Sequence, residues 1–469
     1  MKRFLPFFIL LLSSFFNTLL AQVNIGGIIN QYSAVLTYNA CRNGYAVANP
    51  SIFNVGDRVL MIQMKGAQID QTNTAAFGDI INMNASGLYQ FADILSINGN
   101  IISFVNNLTT GYGSSAQLIK VPVYQNATVT SPLTCLPYNG TIGGVLVFEV
   151  NGTLTLSDNI DASETGYRGG AASVDEFDAV QCGLMDYKFP ANPKLGGFKG
   201  EGNSNIALLD QTGRGPLSIG GGGGNHANAG GGGGGNRGTG GIGGNQWSGC
   251  SVVSNGGLGG KPLIYANRIF MGGGGGGAQQ NDTQGTPGKN GGGIVIIKAN
   301  QITGNGRTIS SNGGNAALAT IDGAGGAGAG GAILLNVQNY TGTLTVEAKG
   351  GMGGSINMGL SGNTCLGPGG GGGGGLIRHS TGIPITGVTT SVTGGLPGFI
   401  IYTGSTCFST SYGATAGLTG AVIDTCILYE GTFAYNPLIL TPVVVDVSCV
   451  GLQDGEVDIT STGGAAPFT

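Results

Sequence analysis

The feature that most limits what this chain can become is a glycine tract between Gly220 and Gly277. It reads GGGGGNHANAGGGGGGNRGTGGIGGN and, further on, GLGGKPLIYANRIFMGGGGGG. Glycine offers no side chain to bury and loses the most backbone entropy on ordering. Such runs are either flexible linker or a close-packed wall that only glycine permits, because backbones can touch. The large apolar residues of PLIYANRIF stand directly beside glycines, as residues covering a core would. That placement favours partial order, with packed extended polyglycine over runs such as Gly272 to Gly277.

Composition sets the class. Of 469 residues 95 are glycine, 41% are hydrophobic and only 9% are charged, against about 25% charged in an ordinary soluble domain. The remainder is rich in Thr, Ser, Asn, Val and Ile, which favours strands and turns over helices. Disordered chains are charged and poor in β-branched residues, so this is an all-β chain with a real core. Its length suggests two to four domains. The formal net charge is -4, and removal of Lys2 and Arg3 with the leader takes it to -6. No basic cluster exists, which argues against nucleic acid and against a strongly anionic membrane surface as partners.

Met1 to Ala21 has the charged start, apolar stretch and small final residue of a secretory signal peptide. No later run reaches the roughly 18 apolar residues of a membrane span. The mature chain is therefore expected to be secreted or at the outer cell surface, with cleavage near Ala21 and no transmembrane span. All eight cysteines follow the leader, and an even count in an exported chain fits disulfides. Cys407 with Cys426 is the best local pair, and Cys41 with Cys135 would close the first module. No CxxC spacing supports zinc or thioredoxin-type chemistry.

Residues 22–140 form an N-terminal module without glycine runs, read as an antiparallel β-sandwich or barrel. Arg58 to Met64 is a strand entered by a turn at Gly56 and Asp57. Asn98-Gly99-Asn100 is a hairpin signal between two β-rich runs. Ala116 to Val129 is extended, and Pro122 marks an edge or a strand end.

From 141 to 400 the chain repeats. Four segments open with paired glycines and an apolar run, at Gly143, Gly292, Gly330 and Gly374. Each carries a second short extended piece at nearly the same distance, at Ile160, Ile309, Val346 and Thr390. One such coil cannot cover its own apolar row, whereas stacked coils pair backbones and close a core. A glycine-rich parallel β-helix-like solenoid with long insertions follows. Its register makes Glu149, Lys298, Asn336 and Ser380 equivalent and predicts that Glu149 faces Lys298 across one strand spacing. Within the longest insertion, PLIYANRIF reads as a degenerate coil.

Residues 401–438 lose the repeat and read as a cap or linker. Residues 439–469 begin a new unit, with a strand at Val443 to Val447, a turn at Gln453 to Gly455 and a strand at Glu456 to Thr460. A third strand is due where the chain stops, so the unit reads as a truncated Ig-like β-repeat at the front of a longer protein.

This last stretch resembles the SprB-type repeat of large gliding-motility surface adhesins. The residues that carry the resemblance are D-V-x-C at Asp446 to Cys449, D-G at Asp454 and Gly455, and G-G-x-x-P-F-T at Gly463 to Thr469. The region from about Val55 to Gly395 is similar to exported glycine-rich proteins of gliding bacteria. Its cues are VGDRVLMIQMKGA, KVPVYQNATV, NGTIGGVLVFEVNGTLTL and GYRGG. The resemblance implies export through the type IX system and display at the cell surface.

Chemistry is sparse. Glycine runs match G-x-G-x-x-G trivially, and no GKS, GKT or following helix supports a nucleotide loop. His226, among Gly and Asn, is expected to be exposed, and His379, beside Arg378, to be a solvent-facing strand residue. Neither has a nucleophile context. Glycosidases need two placed carboxylates, for which Asp158, Asp161, Glu164 and the group from Asp175 to Asp186 are the candidates. Asp175, Glu176 and Asp178 read as a solvated acidic loop rather than a calcium site, because EF-hand spacing is absent. Trp247 and the tyrosines could stack on sugar. No catalytic, cofactor or metal residue is assigned. The expected function is an exported structural or adhesive surface protein, not an enzyme, with surface glycans or other cell-surface proteins as partners. The alternatives are a β-helix carbohydrate-active enzyme, with the Thr165 to Ser218 insertion over its site, and a non-catalytic glycan-binding module.

Overall fold

The computed structural model describes residues 22–39, 44–108, 111–174, 180–251, 254–357, 364–426, 428–430, 433–434, 439–445 and 456–462. No α-helix occurs among them, and none of their segments is a helix long and apolar enough to cross a membrane. The acidic group Asp175, Glu176 and Asp178, the leader and the Gln453 to Gly455 turn lie outside the described residues.

Six strands close an antiparallel barrel. They are β2 (Gln31–Asn39), β3 (Gly44–Val47), β4 (Arg58–Gln63), β7 (Tyr89–Asn98), β8 (Ile101–Phe104) and β10 (Ala116–Lys120), in the order β10-β2-β3-β8-β7-β4. Of the two architectures the sequence allowed, the barrel is the one formed. β7 and β8 pair across Gly99, whose φ of +62 a glycine tolerates at no steric cost. Two short pairs lie beside it, β5 (Gln68–Ile69) with β6 (Ile80–Asn82) and β9 (Asn106–Asn107) with β22 (Phe433–Ala434).

Twelve strands make a parallel sheet that nearly closes on itself. β1 (Gln22–Ile28), β11 (Val123–Tyr124) and β12 (Asn126–Thr134) start it, so the 22–140 stretch supplies strands to both sheets. On one side of β12 stack β13 (Val145–Leu156), β15 (Ile294–Thr303), β17 (Ala332–Thr341), β19 (Leu376–His379) and β21 (Ala421–Ile423). On the other side stack β14 (Ile160–Asp161), β16 (Arg307–Ser310), β18 (Leu344–Glu347) and β20 (Val388–Ser391). The four repeats are the four stacked pairs β13/β14 to β19/β20, and β21 adds one further rung. The second pieces align as expected, Ile160 on Ile309 on Val346 on Thr390.

The register expectation holds. Glu149 lies opposite Lys298, and their side chains form an ion pair at 2.9 Å. A second cation comes from the barrel, where Arg58 Nε reaches Glu149 Oε1 at 3.1 Å. The carboxylate is thus buried between two partners, the condition under which a buried charge is tolerated.

The barrel packs on the outside of the parallel sheet, which explains why the apolar runs do not alternate. In β4, Val59 and Met61 point into the barrel, while Leu60 and Ile62 pack with Val145, Val147, Ile294 and Ile296. In β13, Leu146 and Phe148 instead face the interior between the two stacks. Strands buried on both faces read as continuous hydrophobic runs.

The glycine tract is ordered. In the run Gly272 to Gly277 every residue is buried. Gly272 and Gly275 donate to the carbonyls of Gly292 and Lys289, Gly273 and Gly276 to Gly235 and Gly232, and Gly274 and Gly277 to Glu201 and Phe198. Their carbonyls accept from the runs 167–170, 326–329 and 221–224 in the same rotation. Hydrogen-bond direction therefore repeats every three residues, the period of an extended three-per-turn helix. The run has six neighbours, and all its backbone groups are satisfied at 2.8–3.2 Å. A buried backbone without such partners would be costly. The glycine loops of successive coils thus form a bundle beside the parallel core.

Three expectations are corrected. PLIYANRIF forms no strand; Leu263, Ile269 and Phe270 are buried against the barrel's outer face, so it seals a core without adding a coil. Cys407 pairs with Cys365, and Cys182 pairs with Cys250, while Cys135 and Cys426 are buried free thiols. The expected Cys407–Cys426 pair is not formed, because Cys365, in the loop before β19, lies against Cys407, in the loop before β21. Cys41, the other half of the second expected pair, lies outside the described residues. Both histidines are buried, His226 at 3% exposure and His379 at 0%, rather than facing solvent.

The last two strands, β23 (Ile439–Val445) and β24 (Glu456–Thr462), form an antiparallel pair. Such a pair alone does not define an Ig-like unit.

Candidate functional site

Lys65, Arg168, Lys199 and Glu201 line a cleft of about 370 Å³ where the barrel meets the glycine bundle. Lys65 lies two residues beyond the end of β4, and its carbonyl accepts from Gln63 Nε2 at 2.7 Å. Arg168 sits in the glycine run 167–170, and Glu201 ends the neighbouring run 198–201. The two runs are joined where Glu201 N–H donates to the Arg168 carbonyl at 2.8 Å. Arg168 Nε and Nη2 then grip both Glu201 oxygens at 3.0 and 3.2 Å, and Lys65 closes on Oε1. Burial pushes the Glu201 carboxyl up, but Arg168 and Lys65 outweigh it and hold its pKa below the usual carboxylate range. The carboxylate stays ionised and oriented, and Arg168 keeps half of its side chain exposed to the cleft.

Lys199 lies beneath. Burial pulls its pKa well below the ordinary lysine value. Its Nζ donates to the carbonyls of Gly213 and Gly215 at 2.9 and 2.8 Å and to that of Tyr187 at 2.5 Å. Three acceptors match the three donors of an ammonium group, so this lysine ties the Thr165 to Ser218 insertion to itself. Ser204 also lines the cleft, and its Oγ is buried without a hydrogen-bond partner. The cleft therefore presents an oriented guanidinium and the amides of Asn205 and Gln211.

Of the acids singled out from sequence, the described ones, Asp158, Asp161, Glu164 and Asp186, do not line this cleft. Asp158 and Asp161 accept from nearby backbone N–H groups at 2.7 and 2.8 Å, and Asp161 also takes the Ser310 hydroxyl at 2.7 Å. Glu164 is exposed, and Asp186 accepts from Asn73 at 2.8 Å. Among the described residues that line the cleft, Glu201 is the one carboxylate. Trp247 packs in a small cluster with Ile356, Leu366 and Ile400, beside the Cys365–Cys407 bridge. Lys65 and Glu201 were not singled out from sequence. In a chain with so few charges, the KGE at Lys199 to Glu201 was the available signal.

A second cavity of about 430 Å³ opens at the C-terminal end of the parallel core. His379 lines it, with Nδ1 3.2 Å from the Tyr340 hydroxyl and Nε2 without a partner. Burial pushes the imidazole pKa down from 6.5 to about 4. The unfolded chain then binds a proton that the folded chain refuses. The stability contributed by neutral His379 is complete above pH 6.5 and is lost as pH falls toward 4. Urea midpoints measured across that window should fall by up to about 3 kcal/mol equivalent, and His379→Leu should flatten that part of the profile.

The fold and cleft together describe an all-β scaffold without a metal-binding cluster of His, Cys, Asp or Glu among the described residues. The family model of the SprB repeat matches residues 441–469. The C-terminal unit read from its D-V-x-C, D-G and G-G-x-x-P-F-T residues is thus a SprB repeat. No curated protein matches the chain. Among solved structures it is similar to the Gp54 tailspike of Acinetobacter baumannii bacteriophage AP22 in complex with A. baumannii capsular saccharide. The identity is 11% and the TM-score 0.15 over 81% of this chain. The match spans 58% of the tailspike chain. At that score the likeness supports no conclusion about fold or function.

Proposed function

We propose that this chain is an exported, cell-surface adhesin-like protein whose β-helix-type solenoid and glycine bundle form a rigid display scaffold. The SprB repeat at residues 441–469 carries the reading. The leader-like start and the disulfides Cys182–Cys250 and Cys365–Cys407 are consistent with an oxidising, extracytoplasmic setting. Export by the type IX route and a part in gliding or attachment belong to the same proposal.

Binding, without a bond-making step, would occur in the Lys65–Arg168–Glu201 cleft. A guanidinium held by a carboxylate and flanked by side-chain amides suits a hydroxyl-rich ligand, and we assign the cleft to a surface glycan. The test is a glycan array on the purified protein, with reducing-end release assayed in parallel. Binding of a restricted glycan set without release of sugar ends is the expected result. Arg168→Ala should weaken that binding by about tenfold or more, as removal of a central arginine does. Sugar release would establish the carbohydrate-active enzyme instead, and an empty array would remove the glycan assignment.

A further inference from the structure

The interior of the parallel core changes character at its last full coil. The row Phe148, Ile297 and Leu335 is apolar through three coils and ends in His379 on the fourth. The row Ile160, Ile309 and Val346 ends in Thr390. The strand is also shortened there, since β17 has 10 residues and β19 has 4. The cavity at this end is walled by Ile383, Pro384, Ile385, Val388 and Val422. Among the described residues no charged side chain lines it. Arg378 lies on the opposite face of β19 and donates to the Thr425 and Tyr265 carbonyls.

The imidazole can be oriented by chemistry. A neutral imidazole nitrogen is a stronger base than a phenol oxygen, and burial keeps Tyr340 protonated by pushing its pKa up. Tyr340 O–H therefore donates to Nδ1, and the ring proton sits on Nε2. Nε2–H is then a buried donor without an acceptor among the described residues, in a side chain that lines the apolar chamber. Buried polar groups in that condition are rare and costly.

We infer that this chamber binds a small neutral carbonyl compound with an apolar body, whose oxygen accepts a hydrogen bond from His379 Nε2. The walls supply apolar contact and no countercharge, which selects against a carboxylate. The donor selects for an acceptor oxygen, and the cavity lies within the size range of small-molecule sites. The site is separate from the glycan cleft and does not depend on that assignment.

The chain holds only two histidines, so imidazole 15N labelling of the full chain reports on this site directly. Acetophenone is the probe, with ethylbenzene lacking the oxygen and benzoate carrying a charge. Acetophenone should shift the His379 imidazole resonance saturably and leave His226 unmoved. Ethylbenzene and benzoate should bind at least about tenfold more weakly. His379→Leu continues the Phe148–Ile297–Leu335 row, so it should fold, and it should weaken acetophenone binding by a similar factor. No saturable shift up to about 10 mM probe would overturn the inference. Equal binding of ethylbenzene, or equal binding by a folded His379→Leu chain, would also overturn it by reducing the site to an apolar void. If that variant does not fold, the acetophenone and ethylbenzene comparison on the unaltered chain decides alone.

Discussion

Gly274→Val should destabilise the protein by about 4 kcal/mol or more, at the upper end of single-substitution effects. A Cβ at this position would lie 2.0 Å from the Arg168 carbonyl oxygen and 2.5 Å from its carbon. Both are backbone atoms, so no side chain can swing aside. The run carrying Arg168 is itself hydrogen-bonded to the runs around Gly275 and Gly288, and displacing it disturbs the neighbours in turn. A lattice of three-per-turn chains accepts only glycine at its axis-facing positions, for the reason a collagen triple helix does. Urea denaturation followed by tryptophan fluorescence measures the loss. Gly113→Ala is the matched control, because nothing lies within 4 Å of a Cβ there, and it should stay within about 0.5 kcal/mol of the parent. The bundle also places Arg168, so Gly274→Val should abolish binding at the cleft. A stable Gly274→Val protein would mean that the tract is linker and that its order is not needed.

Breaking Cys182–Cys250 should cost about 4 kcal/mol. The bridge closes a separation of 68 residues, and longer loops lose more unfolded-chain entropy when crosslinked. It also joins the Thr165 to Ser218 insertion to the glycine tract at the turn after Trp247. The double variant Cys182→Ser/Cys250→Ser should show this loss as a lowered urea midpoint with a steeper slope, because the unfolded chain is no longer crosslinked. Cys135→Ala removes a free buried thiol and should cost only about 1 kcal/mol. Equal losses from the two changes would show that the bridge contributes packing alone.

Much of the scaffold was legible because its signals are local or periodic. Asn98-Gly99-Asn100 announced a hairpin through the φ that its glycine must adopt. The offset between paired glycines and the second extended piece announced the coils and the placement of Glu149 against Lys298. The repeat could not show that Arg58, 91 residues earlier, completes that ion cluster. Nor could it show that the continuous runs at Val59 to Ile62 and Val145 to Phe148 meet each other face to face. The cleft was illegible for the same reason, since Lys65 and Glu201 meet across 136 residues of chain. The exposure expected for His226 and His379 followed from their polar neighbours in sequence. Their burial follows from the stacking of whole coils.

Composition and pattern alone determined an all-β chain with strands stacked in parallel coils. Those properties reside in backbone preference and side-chain period, which neighbouring residues carry. Only the tertiary structure decided which glycine runs lie against Gly272 to Gly277. A glycine run carries no side chains to specify its neighbours, so its place in the bundle is set by the coils that anchor its ends and by the carbonyls within reach of its N–H groups. The disulfide pairing and the cleft follow from that same arrangement.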